Sequence, residues 1–435
     1  MTVSPHAALH QESLSLKHSE FTHVLSSIEN LLIIQDLDGV CMGLVKDPLH
    51  RVMDTDYIYA TQSFDGHFYV LTNGEHIGQR GVNSIIERAF GEVDRVKRDG
   101  LYLPGLAAGG VQWQTRSGEV SHPGVSHDEL AFLDEVPSRI RAKLQQFFDD
   151  HTNELPDDIS VNDIDQCIQA SVLDNVASPT ANLNTCHELL IEHPMLYRAL
   201  QHAIEALMNE LLYDADTRGL GDSFFVHYAP NLGRDDSGHE LVWFAQGKES
   251  GTTDFQFMLR GAIKEAGVLA LLNRYYHDRT GIYPLGEEFS ARQAPKQHAA
   301  LVDLVRTNFD PALMPFMIGV GDTVTSQAVE EGDRLVFKRG GSDRNFLQLI
   351  QDIGYELDTG NIIAYVDSSG GEVKNRKPLP LDTVDGVLTV LEGPGDSRDI
   401  DDPLTLNVVF PGGYREYIAV FKKAAEARQR TIYGH

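Results

Sequence analysis

The segment Ile33-Ile-Gln-Asp36-Leu-Asp38-Gly39-Val40 ends an apolar run with two carboxylates one residue apart. A buried strand that stops this way delivers both acids to the carboxyl edge of a sheet, where open α/β folds bind ligands. Gly39 permits the sharp turn that brings both carboxylates towards one point. Two adjacent carboxylates repel each other, and a hard cation such as Mg²⁺ relieves that cost. A carboxylate held against such a cation and a phosphate can attack phosphorus. Its neighbour can protonate the leaving alcohol and then activate water. A capped strand end or a calcium-binding turn would use the same residue types.

Two further segments narrow the choice. Tyr69-Val-Leu-Thr72-Asn73-Gly74 is a strand that ends in a hydroxyl and a flexible turn, both able to hold phosphate oxygens. Phe316-Met-Ile-Gly319-Val-Gly321-Asp322 is a strand that ends in glycines and another acid. The elements that must position these residues are readable from the apolar runs. Leu31 to Ile34, Phe68 to Leu71, Phe316 to Ile318 and Ile362 to Val366 read as buried parallel strands. Helical spacing separates them, as in Val82 to Phe90 and Ala299 to Val305. Strands alternating with helices predict an open α/β sheet.

The middle of the chain has another texture. Ser126 and Glu129, at capping-box spacing, open a helix to about Asp149, with Pro137 inside it. Pro194 to Tyr213 predicts a second helix with an apolar stripe through Leu196, Leu200, Ile204, Leu207 and Leu211. Phe224 to His227 and Leu241 to Phe244 read as strands, and the acidic run 153–158 as an exposed loop. These features predict an inserted α+β domain over residues 120–285, with 1–119 and 286–435 as the core. Turns are expected at 367–371 and 393–396, then a strand over Leu404 to Phe410 and a helix from about Tyr414.

The order Asp36-x-Asp38-Gly-Val, Thr72, a lysine, and Gly321-Asp322 resembles the haloacid dehalogenase-like phosphatase superfamily. The resemblance implies a Rossmannoid core with a cap domain inserted between the Thr72 and lysine motifs. It makes Asp36 the nucleophile, Asp38 the general acid and base, and Thr72 a phosphoryl-binding group. It makes Asp36, Asp322 and the backbone carbonyl of Asp38 the Mg²⁺ ligands. The family lysine neutralises charge between nucleophile and phosphate. Lys296, at a predicted helix start, is preferred for this role over Lys264, whose surroundings read as mid-helix. Many members carry another acid four residues after the metal-binding Asp. Here that position is Ser326, which with Thr325 could still hold a metal-bound water, and Asp343 is a candidate to compensate from nearby.

A closer resemblance rests on Glu29 to Met42, Phe68 to His76 and Lys338 to Arg344, which are similar to the cyanobacterial glucosylglycerol-phosphate phosphatase family. That similarity implies hydrolysis of glucosylglycerol 3-phosphate in the synthesis of a compatible solute under salt stress. The upstream synthase is then the protein partner to consider. Asn73, Gly74, Glu75, His76 and Arg80 are candidate substrate contacts, although a polar first helical turn would look the same. Other sugar phosphates, such as sucrose phosphate, would use the same chemistry. A catalytically silent sugar-phosphate-binding regulator is the reading of another class.

Composition bounds the rest. With 36 basic and 64 acidic residues the formal charge is −28, which disfavours nucleic acid and anionic membranes as partners. It suits a cytoplasm that becomes salty, and equally the many cytosolic proteins that are acidic without salt stress. Three separated cysteines make neither a disulfide framework nor a zinc site. No secretory leader and no long apolar run is visible, so a cytoplasmic location is expected. Among decoys, the 18 histidines include no metalloprotease pattern, Asp367 reads as a turn, and Gly105 to Gly110 lacks a nucleotide-loop pattern.

Overall fold

The computed structural model describes residues 9–45, 48–155, 159–229, 231–234, 240–247, 249–332, 334–372, 377–384 and 386–433. The described chain divides into two compact units. The first comprises Met1–His76, Arg80–Gly124 and Gly261–His435, and the second Ile77–Gln79 and Val125–Arg260.

The first unit is built on a sheet of eight strands: β1 (Leu31–Gln35), β2 (Phe68–Leu71), β3 (Gly105–Ala107), β4 (Gln112–Gln114), β5 (Val120–Ser121), β6 (Phe316–Gly321), β7 (Ile362–Val366) and β8 (Val408–Phe410). Their order is β8-β7-β6-β1-β2-β3-β4-β5. The run from β8 to β3 is parallel, and β4 and β5 add antiparallel at one end. Every residue of β1 is buried. Leu31 and Ile33 enter one core with Phe21, Tyr57, Ile85 and Phe421, while Leu32 and Ile34 enter the other with Leu269, Leu301 and Ile350. A parallel strand covered by helices on both faces is apolar on both, which is why Leu31 to Ile34 run without alternation; the buried Gln35 that follows donates to the Tyr57 hydroxyl and accepts from the Tyr417 hydroxyl, both at 2.6 Å.

The helix Lys264–Thr280 belongs to this unit. Its Val268, Leu269, Leu271, Leu272, Tyr275 and Tyr276 are all buried in the second core. The expected boundary at 285 therefore differs from the observed division at Gly261. Buried positions run around most of that helix and include the polar Lys264 and Asn273, so no clean apolar stripe reveals the layer it joins. Residues 120–121 likewise pair with β4 in the core sheet. The strand expected over Leu404 to Phe410 is confined to β8.

The second unit has an antiparallel sheet of four strands in the order Val172–Leu173, Thr180–Asn182, Asp254–Leu259, Phe224–Ala229. The long helices His127–Asp150 and Pro194–Thr217 accompany it. The Ser126–Glu129 capping box is formed, Pro137 lies within the first helix, and Pro194 opens the second. Phe132 stacks on Phe224 and Phe257 with ring centroids 5.2 and 5.8 Å apart, which ties helix to sheet. The strand expected at Leu241 to Phe244 is shifted to Glu240–Val242. Thr152–Glu154 forms a short 3-10 turn, and 156–158 of the expected acidic loop lie outside the described residues. Cys167 and Cys186, far apart in sequence, are buried free thiols with sulfurs 2.9 Å apart.

Candidate active site

β1 hands the chain to Asp36, whose N–H continues the parallel ladder by donating to the Val320 carbonyl of β6 at 2.9 Å. Because β1 and β6 are adjacent and parallel, Asp36 and Asp322 emerge at the same edge. Carboxylate oxygens of Asp36, Asp322 and Asp343 lie within 4.8 Å of one another, and all three residues are buried. Glycine makes the close approach possible. Gly39 has φ +80, and a Cβ there would lie 2.3 Å from Asp322 Oδ2. A Cβ on Gly321 would lie 2.8 Å from Asp343 Oδ2.

Lys264 is the cation of this cluster. Its Nζ lies 3.0 Å from Asp36 Oδ2 and 2.7 Å from Asp343 Oδ1. Lys296, favoured on spacing, is instead an exposed residue in the turn before the helix His298–Asn308. Lys264 is the first residue of its helix, not a mid-helix residue, so its side chain starts at the sheet edge. Asp343 organises the surroundings. Its Oδ2 accepts the N–H groups of Asp322 and Thr323, both at 2.9 Å, while Oδ1 takes Lys264.

Burial is the largest influence on Asp36 and pushes its carboxyl well above the usual range; Asp343 adds to this and Lys264 opposes it. Burial also works against ionised Asp343, but Lys264 and the two N–H donors outweigh it and hold that carboxyl below its ordinary value. Burial would lower Lys264, but Asp343 and Asp36 outweigh it and raise its pKa, so the ammonium stays charged. Three carboxylates around one ammonium leave negative charge to be compensated. Asp36 Oδ1 is buried with no hydrogen-bond partner. A hard divalent cation fits this all-oxygen set. Since both Asp343 oxygens are already engaged, Asp36 and Asp322 are the better-suited donors, and Asp343 fixes the loop that carries Asp322.

Asp38 lies on the turn closed by Gly39 N–H to the Met42 carbonyl at 2.9 Å. Its side chain is 26% exposed, and Arg51 Nε lies 2.9 Å from its Oδ1. Burial raises the Asp38 carboxyl and Arg51 pulls it back. Arg51 was not visible as a site residue in the sequence, because it sits in an irregular connection with no motif around it.

Thr72 follows β2 directly and is buried, with its Oγ1 accepting the Gly74 N–H at 3.2 Å. Asn73 is exposed and Gly74 half-buried. Glu75 and His76 turn inward: Gln112 accepts the His76 N–H at 2.7 Å and donates to Glu75 Oε2 at 3.2 Å. His76 is fully buried, with Nε2 at 3.1 Å from the Gly105 carbonyl, and burial lowers its pKa to about 4. In this arrangement His76 is a neutral packing group beside the Thr72 turn. Arg80 is half-buried. Ser326 Oγ donates to Asp399 Oδ2 at 3.0 Å, and Asp399 also binds Arg339 Nε at 2.9 Å. Ser326 is thus taken up in a separate polar cluster, and Asp343 supplies the third acid. Asp367 accepts the N–H groups of Ser369 and Leu379 at 2.8 and 2.6 Å, as a turn residue does.

The arrangement at the β1 and β6 ends is suited to nucleophilic attack by a carboxylate on an anionic ester. The family model for glucosylglycerol-phosphate phosphatases matches residues 30–425. The chain is 60% identical over 421 residues to a glucosylglycerol-phosphate phosphatase of Synechocystis sp., covering 97% of this chain and 98% of that protein. The chain belongs to the glucosylglycerol-phosphate phosphatase family. Among solved structures, the C. albicans trehalose-6-phosphate phosphatase C-terminal domain aligns over 95% of this chain and 98% of that one, with TM-score 0.42 and 13% identity. The Aspergillus fumigatus trehalose-6-phosphate phosphatase aligns over 95% and 99%, with TM-score 0.36 and 10% identity. Among the described residues no helix is long and apolar enough to cross a membrane.

Proposed function

We propose that the chain is a magnesium-dependent phosphatase that converts glucosylglycerol 3-phosphate to glucosylglycerol and phosphate through an aspartyl-phosphate on Asp36. The observation that carries the reading is the buried Asp36–Lys264–Asp343 chain beside Asp322 at one sheet edge. In this reading the core is of the haloacid dehalogenase type and residues 125–260 are its cap. The product is a compatible solute made for salt acclimation in the cytoplasm, and the synthase of the phosphorylated precursor is the partner.

Asp36 attacks phosphorus as the bond from phosphorus to the glycerol oxygen breaks. Asp38 gives that oxygen a proton. Water then attacks the acyl phosphate, loses its proton to Asp38, and phosphate leaves. Lys264 orients the Asp36 carboxylate and balances phosphoryl charge. The Thr72 hydroxyl, whose oxygen already accepts the Gly74 N–H, keeps its proton to donate to a phosphoryl oxygen. Asp36, Asp322 and the Asp38 carbonyl would hold Mg²⁺, which supplies electrostatic stabilisation of the phosphoryl oxygens.

A phosphate-release assay over glucosylglycerol phosphate, sucrose phosphate and p-nitrophenyl phosphate tests this reading. Activity should require Mg²⁺, vanish with a chelator, and be poorly supported by Ca²⁺, whose looser coordination disturbs in-line geometry. The glucosylglycerol ester should have the highest kcat/KM. Full activity after exhaustive metal removal would refute the metal assignment, and equal use of all three esters the substrate assignment.

A further inference from the structure

We propose that Arg51 is a positioning residue for proton transfer, holding one oxygen of Asp38 so that the other faces the leaving group. The inference rests on the reading of Asp38 as general acid and base. Two cations divide the two carboxylates of the Asp-x-Asp turn. Lys264 is committed to Asp36 and Asp343. Among the described residues, Arg51 is the one cation in ion-pair contact with Asp38, with Nε 2.9 Å from Oδ1.

The backbone of the turn is fixed independently. Val40 and Cys41 donate to the Leu37 carbonyl at 3.2 and 3.0 Å, and Gly39 donates to Met42. These bonds place the Asp38 Cα but leave its carboxylate free to rotate about two side-chain torsions. The ion pair with Arg51, Nε to Oδ1 at 2.9 Å, restrains that freedom. A guanidinium is permanently charged, so the attraction to Oδ1 persists whenever Asp38 is ionised. Arg51 is itself anchored. Three residues later Asp54 caps the helix Thr55–Gln62 by accepting the Asp56 and Tyr57 N–H groups at 2.8 and 3.2 Å. Asp54 also binds Lys422 at 2.8 Å, which ties the segment to the helix Tyr414–Tyr433. The Arg51 side chain is 23% exposed, so it stands at the rim and not in the core.

In the first step the electron pair of the breaking P–O bond goes to the leaving oxygen, which takes the proton from the Asp38 oxygen that Arg51 does not hold. The resulting Asp38 carboxylate keeps Arg51 as its partner until water returns a proton to it. The effect of Arg51 must therefore depend on how much the leaving group needs that proton. A sugar-alcohol leaving group needs it, whereas p-nitrophenolate departs without it.

The test compares Arg51→Gln and Arg51→Lys on glucosylglycerol phosphate and on p-nitrophenyl phosphate, the latter read as the pre-steady-state burst of nitrophenol. For Arg51→Gln, kcat on the sugar ester should fall by roughly 10²-fold with KM within about threefold, and the burst rate should change by less than about threefold. Arg51→Lys should recover part of the loss, and it keeps the comparison usable if the Gln variant folds poorly. Equal losses on both esters, or a raised KM with unchanged kcat, would overturn the proposal. Asp38→Asn serves as the control. If it shows the leaving-group dependence while Arg51→Gln does not, Arg51 alone is misassigned; if Asp38→Asn shows none, the acid-base reading fails and takes this proposal with it.

Discussion

Asp36→Asn is expected to lower turnover of glucosylglycerol phosphate by roughly 10⁴-fold or more, the scale at which removing a nucleophile leaves only binding and electrostatics. The amide has the shape of the carboxylate and can still accept from Lys264, so the fold should survive. It also removes one of three clustered negative charges, and Asp343 then keeps Lys264 at 2.7 Å without a competitor. Purified variant and wild-type protein should therefore melt within a few degrees of each other. Comparable activity in the folded variant would sink the assignment of Asp36.

Lys264→Met and Lys296→Met should behave in opposite ways. Lys264 is 3% exposed and holds two buried carboxylates. Its removal leaves Asp343 with two N–H donors and no cation, and leaves Asp36 beside two other acids. Breaking a buried ion pair from one side costs about 3–5 kcal/mol, and Asp36, already pushed upward, can take a proton to soften that cost. Stability should fall by about 3 kcal/mol in urea unfolding, and turnover should be lost, because no cation then orients the Asp36 carboxylate or balances phosphoryl charge. Lys296 is exposed, so Lys296→Met should stay within about 0.5 kcal/mol of wild type with ordinary turnover. Loss of activity in the Lys296 variant alone would return the phosphate lysine to that position.

The contrast between these lysines marks where the sequence was legible. Asp36, Thr72 and Asp322 could be read because each directly follows a largely buried parallel strand, and strand order carries strand ends to a common edge. Lys264 could not be chosen by spacing, since a lysine can reach the edge from any helix that starts there. Its helix, buried on nearly all sides, also concealed that the chain had returned to the core by Gly261. Asp343 was a candidate by its neighbours, but its contacts with two backbone N–H groups depend on Gly321 lying against it. His76 was a polar residue after a strand end, and only packing revealed that Gly105 and Gln112 claim it. Arg51 and the Cys167–Cys186 approach depend on loop and helix placement that periodicity does not encode.

An aspartyl-phosphate on Asp36 is tested most directly by a rapid acid quench with glucosylglycerol phosphate labelled with phosphorus-32, stopped during the first turnover and followed by peptide mapping. Protein-bound label is expected that resists acid, is released by hydroxylamine, and maps to Asp36. Complete turnover with no label on the protein, or stoichiometric label on another residue, would contradict it.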